Sequence, residues 1–252
     1  MKAYFRQSSF VIVITAIPLL KTNAQFPSTG IEVGIGLGAY VYEGDLAPNR
    51  FGSFKTIKPG IHFLGSKVVN GNLSFRINLA IAKLKGDESK YSNPEYRQQR
   101  NFNFKTGLFE LSALGVWDIR GNNYNREKGR LSPYVFSGVG LSFVKIKRDW
   151  SNLNTEFFDP ESAVQTGLAI DSQKKLPRII PFIPVGLGIR YEISNHFSIS
   201  AETGYRFVFT DYLDGFSYSA NPERDDHYHS TSIGLIMKFG NGNSLACPKI
   251  KY

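Results

Sequence analysis

The chain has 252 residues, 42% of them apolar and 14% aromatic, which is too hydrophobic for a disordered chain. One cysteine rules out an intramolecular disulfide framework and a cysteine-rich zinc site. The formal net charge is +9, but the basic residues are scattered and no nucleic-acid motif accompanies them, so no nucleic-acid partner is expected.

Residues 1–24 read as an export signal. Lys2 and Arg6 supply a positive end, Phe10 to Leu20 form an apolar run, and Thr22-Asn23-Ala24 precede a cleavage point at Gln25. The run falls short of the roughly 20 residues that a spanning helix needs. It is the one long apolar run of the chain, so a multi-span helical membrane protein is excluded. No cysteine follows the run, so a lipid-anchored mature N-terminus is not expected. Two methionines and 24 glycines fit a helical bundle poorly. A soluble β-rich domain and a membrane β-barrel remain.

From residue 31 onward the dominant period is two, the strand period. Eight segments show it. In Ile31 to Glu43, Ile31, Val33, Ile35, Leu37, Ala39 and Val41 oppose Glu32, three glycines and two tyrosines. The second, about 57–68, sets Ile61 and Phe63 against His62 and Ser66. In the third, Leu73, Phe75, Ile77, Leu79 and Ile81 oppose Ser74, Arg76, Asn78, Ala80 and Ala82. The fourth (about 105–119) and fifth (about 133–145) alternate less cleanly. The sixth, about 179–192, sets Ile183, Val185, Leu187 and Ile189 against glycines, Arg190 and Glu192. The seventh, about 197–209, opposes Ile199 and Phe207 to Glu202 and Arg206. The eighth, about 231–239, opposes Leu235 to Lys238.

Several segments reach the nine to eleven residues of a tilted membrane strand, longer than the usual soluble strand. Short connections, such as Asn70-Gly71 and Ser194-Asn195, alternate with long ones at about 44–56, 85–104, 146–178 and 210–229. All long loops then leave one end, the asymmetry of outer-membrane barrels. The predicted fold is an all-β, eight-stranded antiparallel up-and-down transmembrane barrel over residues 25–239, with a periplasmic tail at 240–252.

In such a barrel the apolar faces meet lipid and the other faces fill the lumen. Glycine makes sense there because space is short. The inward charges, Glu32, Arg76, Glu110, Arg190, Glu192, Glu202, Arg206 and Lys238, balance as four acids and four bases, as a closed interior requires. They are expected to form a lumenal ion network. Eight strands leave room only for side chains, which argues against a diffusion pore. Tyr42, Trp117, Tyr134, Tyr191, Phe197, Phe209 and Phe239 lie near strand ends and suit interfacial girdles; an ordinary aromatic core is the alternative.

Motifs for chemistry are sparse. Gly34-Ile35-Gly36-Leu37-Gly38 lies within a strand pattern and reads as barrel-wall packing, not a nucleotide loop. Asp225-Asp226-His227-Tyr228-His229 is the best metal candidate, and a solvated loop is the favoured reading. His62 and Ser66 share a face without a visible third residue to orient them as a nucleophile pair. No catalytic residue, metal, cofactor or small-molecule substrate is expected. Cys247 lies in the tail and reads as an inert thiol, with cross-linking to a partner as the alternative.

Five stretches carry a family resemblance. They are Tyr42-Glu43-Gly44-Asp45-Leu46, Phe109-Glu110-Leu111-Ser112-Ala113, the Pro133 to Gly140 segment, the Pro181 to Gly188 segment, and Thr210-Asp211-Tyr212-Leu213-Asp214. In this order they resemble the PorG-like (DUF6089-type) outer-membrane barrel proteins of Bacteroidota, associated with type IX secretion and gliding. The resemblance implies a non-enzymatic subunit in the outer membrane of a Gram-negative bacterium, in contact with lipid and with a periplasmic ring of PorK/PorN-like proteins. Gly44, Asp45, Thr210, Asp211 and Asp214 are its strand-end signature. Asp45 and Asp211 are expected to accept backbone N–H groups and fix the loop starts, with direct ligand contact as the alternative. Competing functions are a generic barrel for adhesion or envelope stability, a lipid-modifying enzyme, and a soluble lipocalin-like binder.

Overall fold

The computed structural model describes residues 30–49, 51–121, 123 and 128–239. The stretch 1–24 that reads as an export signal and the tail at 240–252 lie outside the described residues, as does most of the turn at 122–127. The described chain forms eight strands: β1 (Ile31–Glu43), β2 (Lys58–Val68), β3 (Leu73–Asp87), β4 (Asn103–Asp118), β5 (Leu131–Asp149), β6 (Ile179–Glu192), β7 (Phe197–Val208) and β8 (His227–Phe239). Each pairs antiparallel with its sequence neighbour, and β1 closes on β8 from Ile31↔Phe239 to Glu43↔His227. The result is a closed up-and-down barrel in which every strand has a neighbour on both sides.

The parity of the strands decides which way it faces. Leu37 (70% exposed) and Val139 (65%) look outward, whereas Arg76 on the opposite face is fully buried. A soluble barrel has the reverse pattern. This inside-out arrangement, with an exposed apolar belt around a polar lumen, is that of a transmembrane barrel. Trp117, Tyr191, Phe197, Phe209 and Phe239 are on the exposed side. Tyr42 and Tyr134 are not girdle residues: both point into the barrel and are buried. Their parity, shared with Glu32 and Ser142, outweighs their position near strand ends.

The tight turns follow their side-chain chemistry. Asn70 Oδ1 accepts from the backbone of Asn72 and Leu73 at 2.9 and 2.8 Å between β2 and β3. Ser194 Oγ accepts from His196 N and Phe197 N at 3.2 and 3.1 Å between β6 and β7. The four longer connections all leave the opposite end.

That end differs from the sequence reading. β3 runs on to Asp87, β5 to Asp149, and β8 begins at His227. Three of the four long loops are therefore shorter than expected, and two of them carry a helix, α1 (Tyr96–Arg100) and α2 (Ala163–Gln173). Ser162 caps α2 by accepting from Gln165 N at 3.3 Å. The loops do not simply project. Leu46, Phe102, Leu213 and Phe216 are fully buried and join Tyr42, Leu84, Phe104 and Phe182 in one apolar core over the barrel mouth. Phe102 stacks on Phe216 with ring centroids 4.4 Å apart.

Candidate functional site

The lumen holds the eight sequence-predicted charges, and the structure brings them together as four pairs. Arg76 lies 2.6 Å from Glu202, Arg190 lies 3.1 Å from Glu32, and Arg206 lies 3.6 Å from Glu110. Lys238 is in direct contact with Glu192. Each pair joins strands that are not neighbours in the wall, so each acts as a strut across the barrel. Tyr134 donates to Glu202 Oε1 at 2.6 Å, and its ring faces the Arg76 guanidinium at 5.4 Å. Charges out of water need such partners, because an isolated buried ion costs several kcal/mol (roughly).

Glycine makes the room. A Cβ on Gly36 would stand 2.3 Å from the His62 ring, and one on Gly188 would stand 2.5 Å from the Tyr134 ring. Gly34, Gly36 and Gly38 are thus wall positions of β1. A cavity of about 30 Å³ lies between Tyr40, His62, Asn78, Glu110, Glu202 and Arg206, enough for one water. The lumen is a packed polar core.

Above the lumen, the strand-end signature assembles into one cap. Tyr42 Oη sits 2.7 Å from Asp214 Oδ2 and 2.6 Å from Asp226 Oδ1, all three buried. Asp226 Oδ2 accepts from Leu213 N and Asp214 N at 3.0 and 3.2 Å, and Asp214 Oδ1 accepts from Phe216 N at 2.8 Å. A phenol has one proton, so it can donate to only one of two acids. The second short contact requires a proton on a carboxyl. Burial, reinforced by nearby acids, raises both carboxyls well above their usual range. Gly44 is required beside them, because a Cβ there would lie 2.0 Å from Asp226 Oδ1.

Asp45 and Asp211 do not fix their own loop starts. Asp45 is buried and takes a backbone hydrogen bond from Asn221, in a different loop, while its Oδ2 has no partner. Burial raises its pKa to about 6. Neither Asp211 oxygen has a well-formed partner, and burial pushes this carboxyl to about 8, the Ser217 side chain opposing the rise. Thr210 is the turn former: its Oγ1 accepts from Tyr212 N at 3.2 Å and its carbonyl accepts from Asp226 N at 3.1 Å.

The sequence reading missed two further anchors. Asp171 on α2 accepts from Ser217 N and Ser219 N at 3.1 and 2.9 Å and from Ser219 Oγ at 2.6 Å. Glu88 is fully buried and takes two bonds from Arg100, at 2.9 and 2.6 Å. Arg100 also donates to the Ser219 carbonyl at 3.2 Å. These bonds tie the β3–β4, β5–β6 and β7–β8 loops together. Neither residue sits in a repeating pattern, so only the lone acid within an otherwise neutral stretch pointed to Asp171.

The other candidates separate. His227 and His229 are on β8, not in a loop, and face outward, whereas Asp226 faces the cap. No group of three or more metal-ligating side chains occurs among the described residues. His62 and Ser66 both point into the lumen, and the Ser66 hydroxyl has no hydrogen-bond partner. Cys247 lies outside the described residues.

Among solved structures, Neisserial surface protein A is 14% identical, with 84% of this chain and 98% of that one covered and a TM-score of 0.47. Ail, the attachment invasion locus protein of Yersinia pestis, is 15% identical, with coverages of 83% and 97% and a TM-score of 0.44. The outer membrane enzyme PagL is 9% identical, with coverages of 82% and 99% and a TM-score of 0.40. The curated proteins contain no match. A family model described as a domain of unknown function, DUF6089, matches residues 7–246. That span is nearly the whole sequence, and the chain belongs to the DUF6089 family.

Proposed function

We propose that this barrel is a non-enzymatic outer-membrane subunit of the type IX protein secretion and gliding machinery of a Gram-negative member of the Bacteroidota. Its work is to dock the periplasmic ring of PorK/PorN-like proteins at the outer membrane, to which a cleaved signal peptide delivers it. The observation that carries this reading is the filled interior. Four ion pairs span the lumen and an apolar core covers its mouth. Passage of a solute is disfavoured, and the surfaces are left to do the work. The PorG-like segments support the choice of machine.

Docking falls to the end with short turns, which includes the polar connection 120–130 and leads into 240–252. The test is detergent pull-down of the native protein. Ring components are expected to come with it, and their recovery should fall when both segments are removed. Intact ring recovery and intact secretion after that deletion would end the docking proposal. Normal secretion after loss of the whole gene would favour adhesion or envelope stability instead.

A further inference from the structure

The outward face of β3, β4 and β5 carries a feature that neither the lumen nor the cap uses. Register places Lys83, Gly107 and Lys145 in one cross-strand row, and Lys85, Lys105 and Lys147 in the next. These residues share the outward parity of Ile81, Phe109 and Phe143, which form the row immediately below. The Phe109 and Phe143 rings lie 5.9 Å apart. Five ammonium groups therefore stand directly on the rim of the lipid-facing belt.

Side chains directly opposite each other on a sheet have Cβ atoms about 4.5–5.5 Å apart, and like charges placed so repel. Lys85 has an acid partner, Asp87 at 2.7 Å. Among the described residues, Lys83, Lys105, Lys145 and Lys147 have no ion pair. The row above, Asp87, Asn103 and Asp149, closes the patch on its far side. A Cβ on Gly107 would meet nothing within 4 Å, so a shallow notch lies between Lys83 and Lys145 with Lys105 above it. The patch is confined to one sector. On the opposite wall the corresponding cross-strand rows are Thr203, Thr231 and Ala39, then Tyr205, His229 and Val41, with no lysine.

We propose that this sector binds the phosphorylated head group of an outer-leaflet glycolipid of the lipid A type. The lysines and the Gly107 notch take the phosphates, and the acyl chains lie on Ile81, Phe109 and Phe143. A clustered cationic patch at head-group level is matched by anionic lipid, and the phosphates offset the repulsion within the lysine rows. The proposal rests on the outer-membrane location stated above.

The test uses the full chain in detergent micelles, with lipid A retention read by native mass spectrometry. Diphosphorylated lipid A is expected to bind at least about tenfold more tightly than its dephosphorylated form, and more weakly as salt rises. The variant carrying Lys83→Gln, Lys105→Gln, Lys145→Gln and Lys147→Gln should lose that preference. The same four positions changed to Arg should keep it, as should Lys67→Gln on the outward face at the other end. Heat-modifiable electrophoretic mobility reports whether each variant is folded. Undiminished binding by the folded glutamine variant would overturn the proposal, and so would equal binding of the dephosphorylated lipid. If inorganic phosphate displaces the lipid at equal concentration, the patch is a small-anion site and the lipid assignment falls. Membrane fractionation of cells tests the location separately, so failure of one reading is not mistaken for failure of the other.

Discussion

One strand, β3, shows two opposite designs. In its first half Phe75 is 50% exposed and Arg76 is fully buried. In its second half Lys83 is exposed and Leu84 is 1% exposed. The same inversion occurs on β5, where Phe143 gives way to Lys145 and Lys147 while Val144 stays inside. The alternation never breaks; its polarity reverses. Below the reversal, lipid surrounds the barrel and charge retreats to the lumen. Above it, water surrounds the barrel and apolar side chains take the centre, at about 25 cal/mol per Å² removed from water. The barrel is a membrane protein up to this level and an ordinary soluble one beyond it. The lower half is held by paired ions, the upper half by apolar packing and hydrogen-bonded acids.

The largest expected effect separates the two halves. Arg76→Met leaves Glu202 in the lumen with Tyr134 but without its guanidinium, and unpairing a buried ion costs about 3–5 kcal/mol. Denaturant unfolding in micelles should show this loss. Adding Glu202→Gln removes the stranded charge and should recover most of it. If the double variant is as unstable as the single one, the lumen is held by something other than charge pairing. A smaller effect is expected in the upper half. Gly44→Ala forces a methyl against Asp226 and Tyr42, an overpacking worth about 1–3 kcal/mol. The damage should be local: faster proteolysis between β7 and β8, with unchanged amide protection in the strands of the belt. Loss of protection throughout the barrel would mean that the two halves fold as one unit.

This division also explains what the sequence disclosed. Parity is set by the two-residue period, so the inward place of Glu32, Arg76 and Glu202 was legible from β1, β3 and β7 alone. Their pairing was not, because the partners sit on strands that never neighbour each other. Strand ends are hard to place where lysines replace apolar residues outside, since the sequence marks a strand of this barrel by its apolar outer face. Tyr42 had the parity of Glu32, and its position near a strand end hid its place beneath the cap. The cap itself was the least legible part. Leu213, Phe216, Asp171 and Asp226 belong to no period; they meet only because the barrel brings separate loops to one mouth. The T-D-Y-L-D stretch was visible as a signature, but its partner Asp226 was grouped with the histidines that follow it.

The last expected effect concerns protons in the cap. With the cap open, its carboxyls return to an ordinary value near 4. With it closed, burial raises Asp45 to about 6 and Asp211 to about 8, and raises Asp214 and Asp226 as well. Arg97, Arg100 and Arg224 lower Asp45, but Arg97 and Arg100 are held on Glu88, and Arg224 lies at 4.0 Å from Glu43. The closed state therefore holds more protons than the open state between about pH 4 and 8. Closure is strongest at the acid end and weakens as pH rises through these values, by up to about tenfold per pH unit for each proton released. Hydrogen exchange in the β7–β8 loop should speed up over this window, while exchange in the belt strands follows only its intrinsic pH dependence. Asp226→Asn sharpens the test. Its amide can donate to Tyr42 Oη as a protonated carboxyl would, and its carbonyl can still accept from Leu213 and Asp214. The variant should open less readily than the parent protein at alkaline pH, although Asp45 and Asp211 still release their protons. Opening as readily as the parent protein there would mean that the shared proton between Asp214, Tyr42 and Asp226 does not hold the cap.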